Sequence, residues 1–494
     1  MNFVTTIFVL YFLPVLCIGW ALRHWPLVYR YFITVASIFF YAYAGAEYVL
    51  LLLLVAALNW GCVRLREHEE WHELPCPECG KTVKLCIKRG YKHWPLVVCI
   101  TLHVLLLAFF KYAEPLFLML NDMLGAESEL NAWLMESGMG DIVLPAGLSF
   151  YTFMGLSYSI DAYRNPEQKP RSFGEVLSYV SFFPTILAGP IMRSHQFFDQ
   201  MGERSAQSSD FSEGMSYILS GMFKKVVLAT YLSQQLVDPV FASPEDFSSL
   251  ALMVAIYAYT AQIYCDFSGY TDLAIGIARL MGFQLPANFA SPYRSLNLQE
   301  FWRRWHITLS QWLRDYLYIP LGGSRRGNRY VNLTLTMIIG GLWHGSGLNF
   351  LIWGFFHGIG LVIVHAWHNL QKRWSHLQLR PWARVAAPIC AWLLTIHSVA
   401  ILWVFFRAKT FSDATAVLGG ITEGRDGEGF SIQILLIIAL VLLLQWVGPR
   451  WFRSFADFQA RMPWYVQALI VGMLGGAVLS MGPEGVLPFI YFDF

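Results

Sequence analysis

Charge is what this chain has least of. Asp, Glu, Lys and Arg make up only 14% of its 494 residues, against about 25% in soluble domains. The two signs nearly cancel, 35 basic against 33 acidic, so no nucleic-acid partner is expected. No basic residue precedes the first apolar run and no small-residue cleavage pattern follows it, which argues against a cleavable signal. That run, 3–20, reads as the first membrane helix with its N-terminus outside. Alternation in ten-residue blocks is also missing, which argues against a membrane β-barrel. There is no fixed-period repeat, low-complexity tract or Pro/Gly/Ser linker, so one membrane domain over 1–494 is the simplest layout.

What is present is apolar and aromatic. Hydrophobic residues reach 56%, with 37 Phe, 24 Tyr and 19 Trp. That much apolar surface does not fit inside one core surrounded by water. The fold class expected is an all-α integral membrane protein with many crossings. Runs of spanning character lie at 3–20, 31–46, 48–63, 94–112, 142–161, 175–192, 214–235, 249–265, 332–347, 349–367, 386–406, 431–447 and 464–482. Some are shorter than the roughly 20 residues a span needs, so about 11 crossings are expected. The segment 408–430 is polar and glycine-rich and reads as an extramembrane loop.

The sparse charges set an orientation. Loop 64–93 carries Arg64, Arg66, Lys81, Lys84, Lys88, Arg89 and Lys92 and is expected in the cytoplasm. Loop 113–141 carries Glu114, Asp122, Glu127, Glu129, Glu136 and Asp141 with no Lys or Arg, which suits the outside. Loop 162–174 turns basic again with Arg164, Lys169 and Arg171.

Residues 296–330 do not read as a plain span. Phe301, Trp302, Trp305, Leu309, Trp312, Leu313 and Leu317 recur at helical spacing, interrupted by Arg303, Arg304, Gln311, Arg314 and Asp315. The pattern predicts an amphipathic helix in the interface, or a re-entrant segment lining a cavity, ended by Pro320, Gly322 and Gly323. A basic helix that only anchors the fold would show the same composition.

His306 lies in this helix, and His344 lies in the apolar string GGLWHGSG. Ionisable groups in membrane segments are costly and mark functional positions. Histidine is the side chain suited to proton transfer near neutral pH. Hydrogen bonding to a neighbouring helix is the plainer alternative for each. His357 shares the ambiguity, and His365 with His368 read as a helix end facing the interface. Asp266 and Asp272 in YCDFSGYTD suit ion pairing, with Arg294 or Arg303 as candidate partners.

Two long strings carry a resemblance: EFWRRWHITLSQWLRDYLYIPLGG at 300–323 and MIIGGLWHGSGLNFLIWGFFHG at 337–358. LPAGLSFYTF (144–153), SFFPTILAGPIMR (181–193), GMFKKVVLA (221–229) and AQIYCDFSGYTDLAIGIARLMGF (261–283) add to it. The chain resembles the membrane-bound O-acyltransferase family, in its alginate O-acetyltransferase-like branch, most strongly over 140–365. The resemblance implies a ring of membrane helices around a tunnel where acyl donor and acceptor meet from opposite sides. It implies active-site roles for His344, in the Trp-His-Gly string, and for His306, in the Trp-Arg-Arg-Trp-His string. Arg303, Arg304, Trp305, Trp343 and Asp266 are candidate substrate-binding residues beside them.

The activity so implied moves an acyl group from a thioester to a hydroxyl, with no catalytic cofactor. Acetyl-CoA on the cytoplasmic side is the donor implied, and an exported polysaccharide the acceptor, reached directly or through extracytoplasmic acetyl-transfer proteins. A bacterial inner membrane is the expected location. D-alanyl transfer from a carrier protein to a cell-wall polymer is the alternative within the family. A transporter of acyl groups or polymer is the alternative of another class.

One segment stands apart from the family pattern. HEEWHELPCPECGKTVKLC (68–86) holds Cys76 and Cys79 as half of a zinc knuckle, with Cys86 and His72 as first candidates for the other half, and His68 and His93 behind them. Such a site would be structural. The alternative is a charged loop with incidental thiols.

Overall fold

The computed structural model describes residues 3–75, 82–124, 143–165, 169–202, 208–373 and 381–482. They fall into two compact units, one made of the described residues within 17–187 and 191–202, the other of those within 3–16, 188–190 and 208–482.

The first unit takes in the end of α1 (Thr6–Leu22), then α2 (Pro26–Ala42) and α3 (Tyr48–Arg64). A hairpin follows, β1 (Glu67–Pro75) with β2 (Thr82–Tyr91), and then α4 (Trp94–Leu124), α5 (Leu148–Arg164), α6 (Phe173–Ser181), α7 (Phe183–Ile186) and α8 (Ser194–Phe198). Pro26 opens α2 where its missing N–H costs nothing. Ser172 and Glu175 form a reciprocal cap on α6. Buried Asn59 ties three helices together. Its amide donates to His103 Nε2 at 2.9 Å, and its oxygen accepts from Ser159 Oγ at 2.7 Å.

Two expectations change in this unit. The run 175–192 is not one helix. Phe182 leaves helical geometry after Ser181, and Pro184 sits in the first turn of α7, where no N–H is needed. Loop 64–93 contains the antiparallel hairpin, whose register sets Glu69 opposite Arg89, Glu70 opposite Lys88 and Glu73 opposite Lys84. Cys76 and Cys79 lie outside the described residues. In the strands, Cys86 is paired with Trp71 and His72 with Leu85. No cluster of metal-binding side chains occurs among the described residues.

The second unit runs from α9 (Ser208–Met222) through π-helical turns at Phe223–Ala229 and Ser233–Val237 to α10 (Ser249–Leu280). Then come α11 (Leu298–Arg304), α12 (Ile307–Leu313), α13 (Arg329–His344), α14 (Leu348–Arg373) and α15 (Pro381–Arg407). α16 (Phe411–Gly420), α17 (Ile432–Ala460) and α18 (Trp464–Met481) complete it. α16 falls in the segment expected to be a loop. Thr410 caps it, and Ala414 and Val417 pack on Ile256, Ala400 and Val404.

Among the described residues, five helices are long and apolar enough to cross a membrane: Trp94–Leu120, Ser249–Leu280, Leu348–Arg373, Ala386–Arg407 and Trp464–Met481. Ser249–Leu280 is mostly buried, whereas the first and last leave Leu105, Leu116, Leu469 and Met473 exposed. Water would penalise that surface at about 25 cal/mol per Å², and hydrocarbon would not. The chain is an all-α membrane protein that crosses the bilayer several times, with a small hairpin as the one sheet among the described residues.

Candidate active site

The stretch around His306 is not the single amphipathic helix that its periodicity predicts. α11 stops at Arg304, and His306 takes a left-handed backbone, φ 42° and ψ 56°, before α12 begins. A non-glycine residue in that region is strained by about 1–3 kcal/mol and needs its surroundings to hold it there. The segment 288–290 does so. Ile307 N–H donates to the Asn288 carbonyl at 3.0 Å, and Ala290 N–H donates to the Arg304 carbonyl at 3.0 Å. The Asn288 side-chain oxygen accepts from His306 Nδ1 at 3.1 Å, Thr308 N at 3.2 Å and Thr308 Oγ1 at 3.0 Å.

Because that oxygen can only accept, His306 carries its proton on Nδ1, and Nε2 presents a lone pair. Nε2 is buried and has no hydrogen-bond partner among the described residues. Burial pushes the imidazole below the ordinary histidine range, so it stays neutral. Asn288 is the residue of this candidate site that sequence reasoning missed. Its one signal is a buried amide in the otherwise apolar context LPANFA.

His344 ends α13 and is buried. Its ring meets Trp343 at 4.6 Å, Phe406 at 5.0 Å and Trp353 at 5.2 Å. α13 and α14 approach closely enough to leave no room for side chains at the crossing. A Cβ on Gly341 would lie 2.3 Å from the Phe350 carbonyl oxygen, and one on Gly354 would lie 2.4 Å from that of Met337.

A file of rings joins the two histidines within this unit. His306 stands edge-on to Phe267 at 4.7 Å. Phe267 meets Phe289 at 5.0 Å, and Phe289 meets Trp305 at 5.1 Å. Trp305 meets Trp403 at 4.9 Å, Trp403 meets Trp353 at 5.9 Å, and Trp353 reaches His344. No hydrogen bond links the two imidazoles among the described residues. A ring wall of this kind excludes water and lowers the local dielectric, which strengthens any hydrogen bond made inside it.

The other candidates are placed differently. Trp305 is buried in this wall, and Trp343 lies beside His344. Arg304 is held by Glu300, at 3.0 and 2.8 Å, and by the Ala290 carbonyl at 3.0 Å. Arg303 is exposed, and its side chain makes no hydrogen bond or ion pair among the described residues. It lines an open pocket of about 480 Å³ with Ala290, Asn297, Gln299, Glu300, Arg304 and His368. His365 is half-buried and bonds the Leu361 carbonyl at 2.9 Å.

Asp266 and Asp272 pair with lysines and not with Arg294 or Arg303. Asp266 takes Lys225 in a buried bridge, and Asp272 takes Lys224 at 2.6 Å and Ser220 at 2.8 Å. The π-helical turns at Phe223–Ala229 run beside α10 and bring both adjacent lysines onto its acids, which a sequence reading by ordinary helical spacing does not anticipate.

The chain matches the membrane-bound O-acyltransferase family over residues 96–406. It is 33% identical to the probable alginate O-acetylase AlgI of Pseudomonas putida, with all of both chains covered. It is 34% identical to the peptidoglycan O-acetyltransferase of Helicobacter pylori, over 85% of this chain and 79% of that one. With the teichoic acid D-alanyltransferase of Streptococcus thermophilus it shares 32% identity over 46% of this chain and 58% of that one. With its apolar spans and these relatives, the chain belongs to the membrane-bound O-acyltransferase family, in its alginate O-acetyltransferase-like branch, and is an O-acyltransferase.

Proposed function

We propose that this enzyme works in a bacterial inner membrane and acetylates hydroxyls of an exported polysaccharide, with acetyl-CoA as donor on the cytoplasmic side. The observation that carries the reading is His306, a buried neutral imidazole anchored through Nδ1 with its Nε2 lone pair left to meet a substrate. His344 takes the proton of the attacking hydroxyl, and His306 orients a substrate or stabilises charge. The hydroxyl oxygen bonds to the thioester carbonyl carbon, the C–S bond breaks, and the proton passes to the departing thiolate. Such a base contributes about 10²–10⁴-fold. The unshared pair on His306 favours one second reading, with the two roles exchanged.

Arg303, with Arg304 in the open pocket that both line, suits the phosphates of the donor, and Trp305, Trp343 and Asp266 remain candidates for substrate binding. The ring of about 11 crossings around a tunnel belongs to this reading as what family membership implies. Acetyl-transfer proteins outside the membrane would complete delivery to the polymer. The relatives named as O-acetylases and O-acetyltransferases support acetyl as the acyl group. For Cys76, Cys79, Cys86 and His72 the proposal stays a structural zinc, and metal analysis of purified protein finding none would remove it.

The test is the O-acetyl ester content of the host's exported polysaccharide. The parental chain is compared with His344→Ala and His306→Ala at equal membrane abundance. Both variants are expected to lose esters with polymer export intact, and parental ester levels in His344→Ala would overturn its role. Glutamine at each position separates the roles, since it accepts a hydrogen bond but takes no proton. A reconstituted activity that requires a carrier protein in place of acetyl-CoA would favour D-alanyl transfer. Polymer flux without histidine-dependent esters would favour a transporter.

A further inference from the structure

The proposed acyl transfer uses two buried histidines and leaves a third without a task. His357, on α14, is fully buried. Its Nδ1 accepts the indole N–H of Trp302 at 3.3 Å, so the neutral ring carries its proton on Nε2. Nε2 has no hydrogen-bond partner among the described residues. The ring stands edge-on to Trp353 at 4.8 Å and to Trp302 at 5.1 Å.

Both tryptophans lead to a proposed active-site histidine. Trp302 lies on α11, whose end runs into the left-handed turn at His306. Trp353 stands edge-on to His344 at 5.2 Å. A phenylalanine would supply an aromatic ring at this position without the cost of burying a polar group. What histidine adds is an acceptor in a fixed direction, met by one donor.

We propose that His357 is a positioning residue for acyl transfer. Its Nδ1 fixes the rotation of Trp302, and through Trp302 and Trp353 it sets where the His306 turn sits relative to His344. The inference rests on the reading that these two histidines carry the chemistry. A displacement of about 1 Å at such a site can cost about 10²-fold in rate.

The test measures transfer of labelled acetyl from acetyl-CoA to the host polysaccharide in membrane vesicles, alongside the melting temperature of each purified variant. His357→Phe keeps the ring and removes the acceptor. Trp302→Phe removes the donor. His357→Asn returns an acceptor atom on the same γ carbon. Each Phe variant is expected to lose about 10-fold or more in kcat with KM for acetyl-CoA little changed. The double Phe variant is expected to fall no further than either single one, and His357→Asn to recover most of the rate.

Parental kcat in His357→Phe, multiplying losses in the double variant, or an Asn variant as slow as the Phe variant would each overturn the role. If His357→Phe does not fold, Trp302→Phe and His357→Asn carry the comparison. His344→Ala in the same assay separates the two levels. Parental rates there overturn the proposed chemistry itself. Loss there, with parental rates in His357→Phe, overturns only the positioning role.

Discussion

Asn288 holds His306 through a single atom. The carboxamide oxygen takes the His306 Nδ1–H and, on the same oxygen, the backbone and hydroxyl donors of Thr308. One side chain therefore sets the tautomer of the imidazole, and with Thr308 and the Asn288 backbone it keeps a left-handed turn in place.

Asn288→Ala removes this shared acceptor from buried donors, at about 1–3 kcal/mol for each one not satisfied elsewhere. Ester formation is expected to fall about 10²-fold, with melting temperature in detergent also lowered. Parental turnover in a stable Asn288→Ala protein would rule out the anchoring role.

Asn288→Asp keeps the acceptor and adds a negative charge beside the imidazole. Burial holds His306 neutral in the parental protein, so its lone pair persists through the neutral range and into mild acid. A carboxylate favours the imidazolium and raises the pKa. The variant is expected to lose rate as pH falls through a higher value than in the parental enzyme, with less loss at alkaline pH. Initial rates of acetyl transfer across pH 5.5–8.5 (about the range where histidine titrates) check the direction. An acid limb that does not move upward refutes it.

The Lys225–Asp266 bridge is buried at both ends. Lys225→Met leaves the carboxylate without this cation and is expected to cost about 3–5 kcal/mol. Lys225→Met with Asp266→Leu removes both charges and is expected to recover most of that. Melting temperatures of the single and double variants decide it. A double variant no more stable than Lys225→Met would show that the pair is not the source of the loss.

Two neighbouring glycines differ in what they permit. A Cβ at Gly341 meets the Phe350 backbone at 2.3 Å, whereas one at Gly340 meets only the Leu313 side chain at 3.3 Å. Gly341→Val is expected to push α13 from α14, destabilise by about 1–3 kcal/mol or more and abolish ester formation. Gly340→Ala is expected to retain both stability and activity. Thermal melting and ester content measured together distinguish a crossing that needs Gly341 from one that tolerates it.

Arg303 lines an open pocket with Arg304 and His368 and has no acidic partner among the described residues. Arg303→Glu is expected to raise KM for acetyl-CoA about 10-fold while kcat changes little, because a ground-state contact is lost. An unchanged KM would remove Arg303 from donor binding.

Membrane class and family are legible in the amino-acid sequence alone. Long apolar runs and scarce charge need no knowledge of folding, because hydrocarbon accepts them and water does not. His306 and His344 are legible because an ionisable residue in an apolar run stands out against its neighbours. Other features are hidden for identifiable reasons. The helical spacing of Phe301, Trp302, Trp305 and Leu309 is real, yet the helix breaks between α11 and α12. The bonds that hold the break come from Asn288, distant in sequence and silent in periodicity.

The lysine partners of Asp266 and Asp272 are hidden because a π-helical turn shifts which side chains face a neighbouring helix. The hairpin at Glu67–Pro75 and Thr82–Tyr91 is hidden because its charges read first as a topology signal.

Composition and short strings thus settle the solvent, the fold class and the family, since each depends on what residues are and not on where they go. Which imidazole nitrogen bears the proton depends on partners brought together from distant segments. So do the file of rings between His306 and His344 and the Trp302–His357 hydrogen bond. Only tertiary packing decides those, because hydrogen-bond direction is set by the atom that a group meets in space.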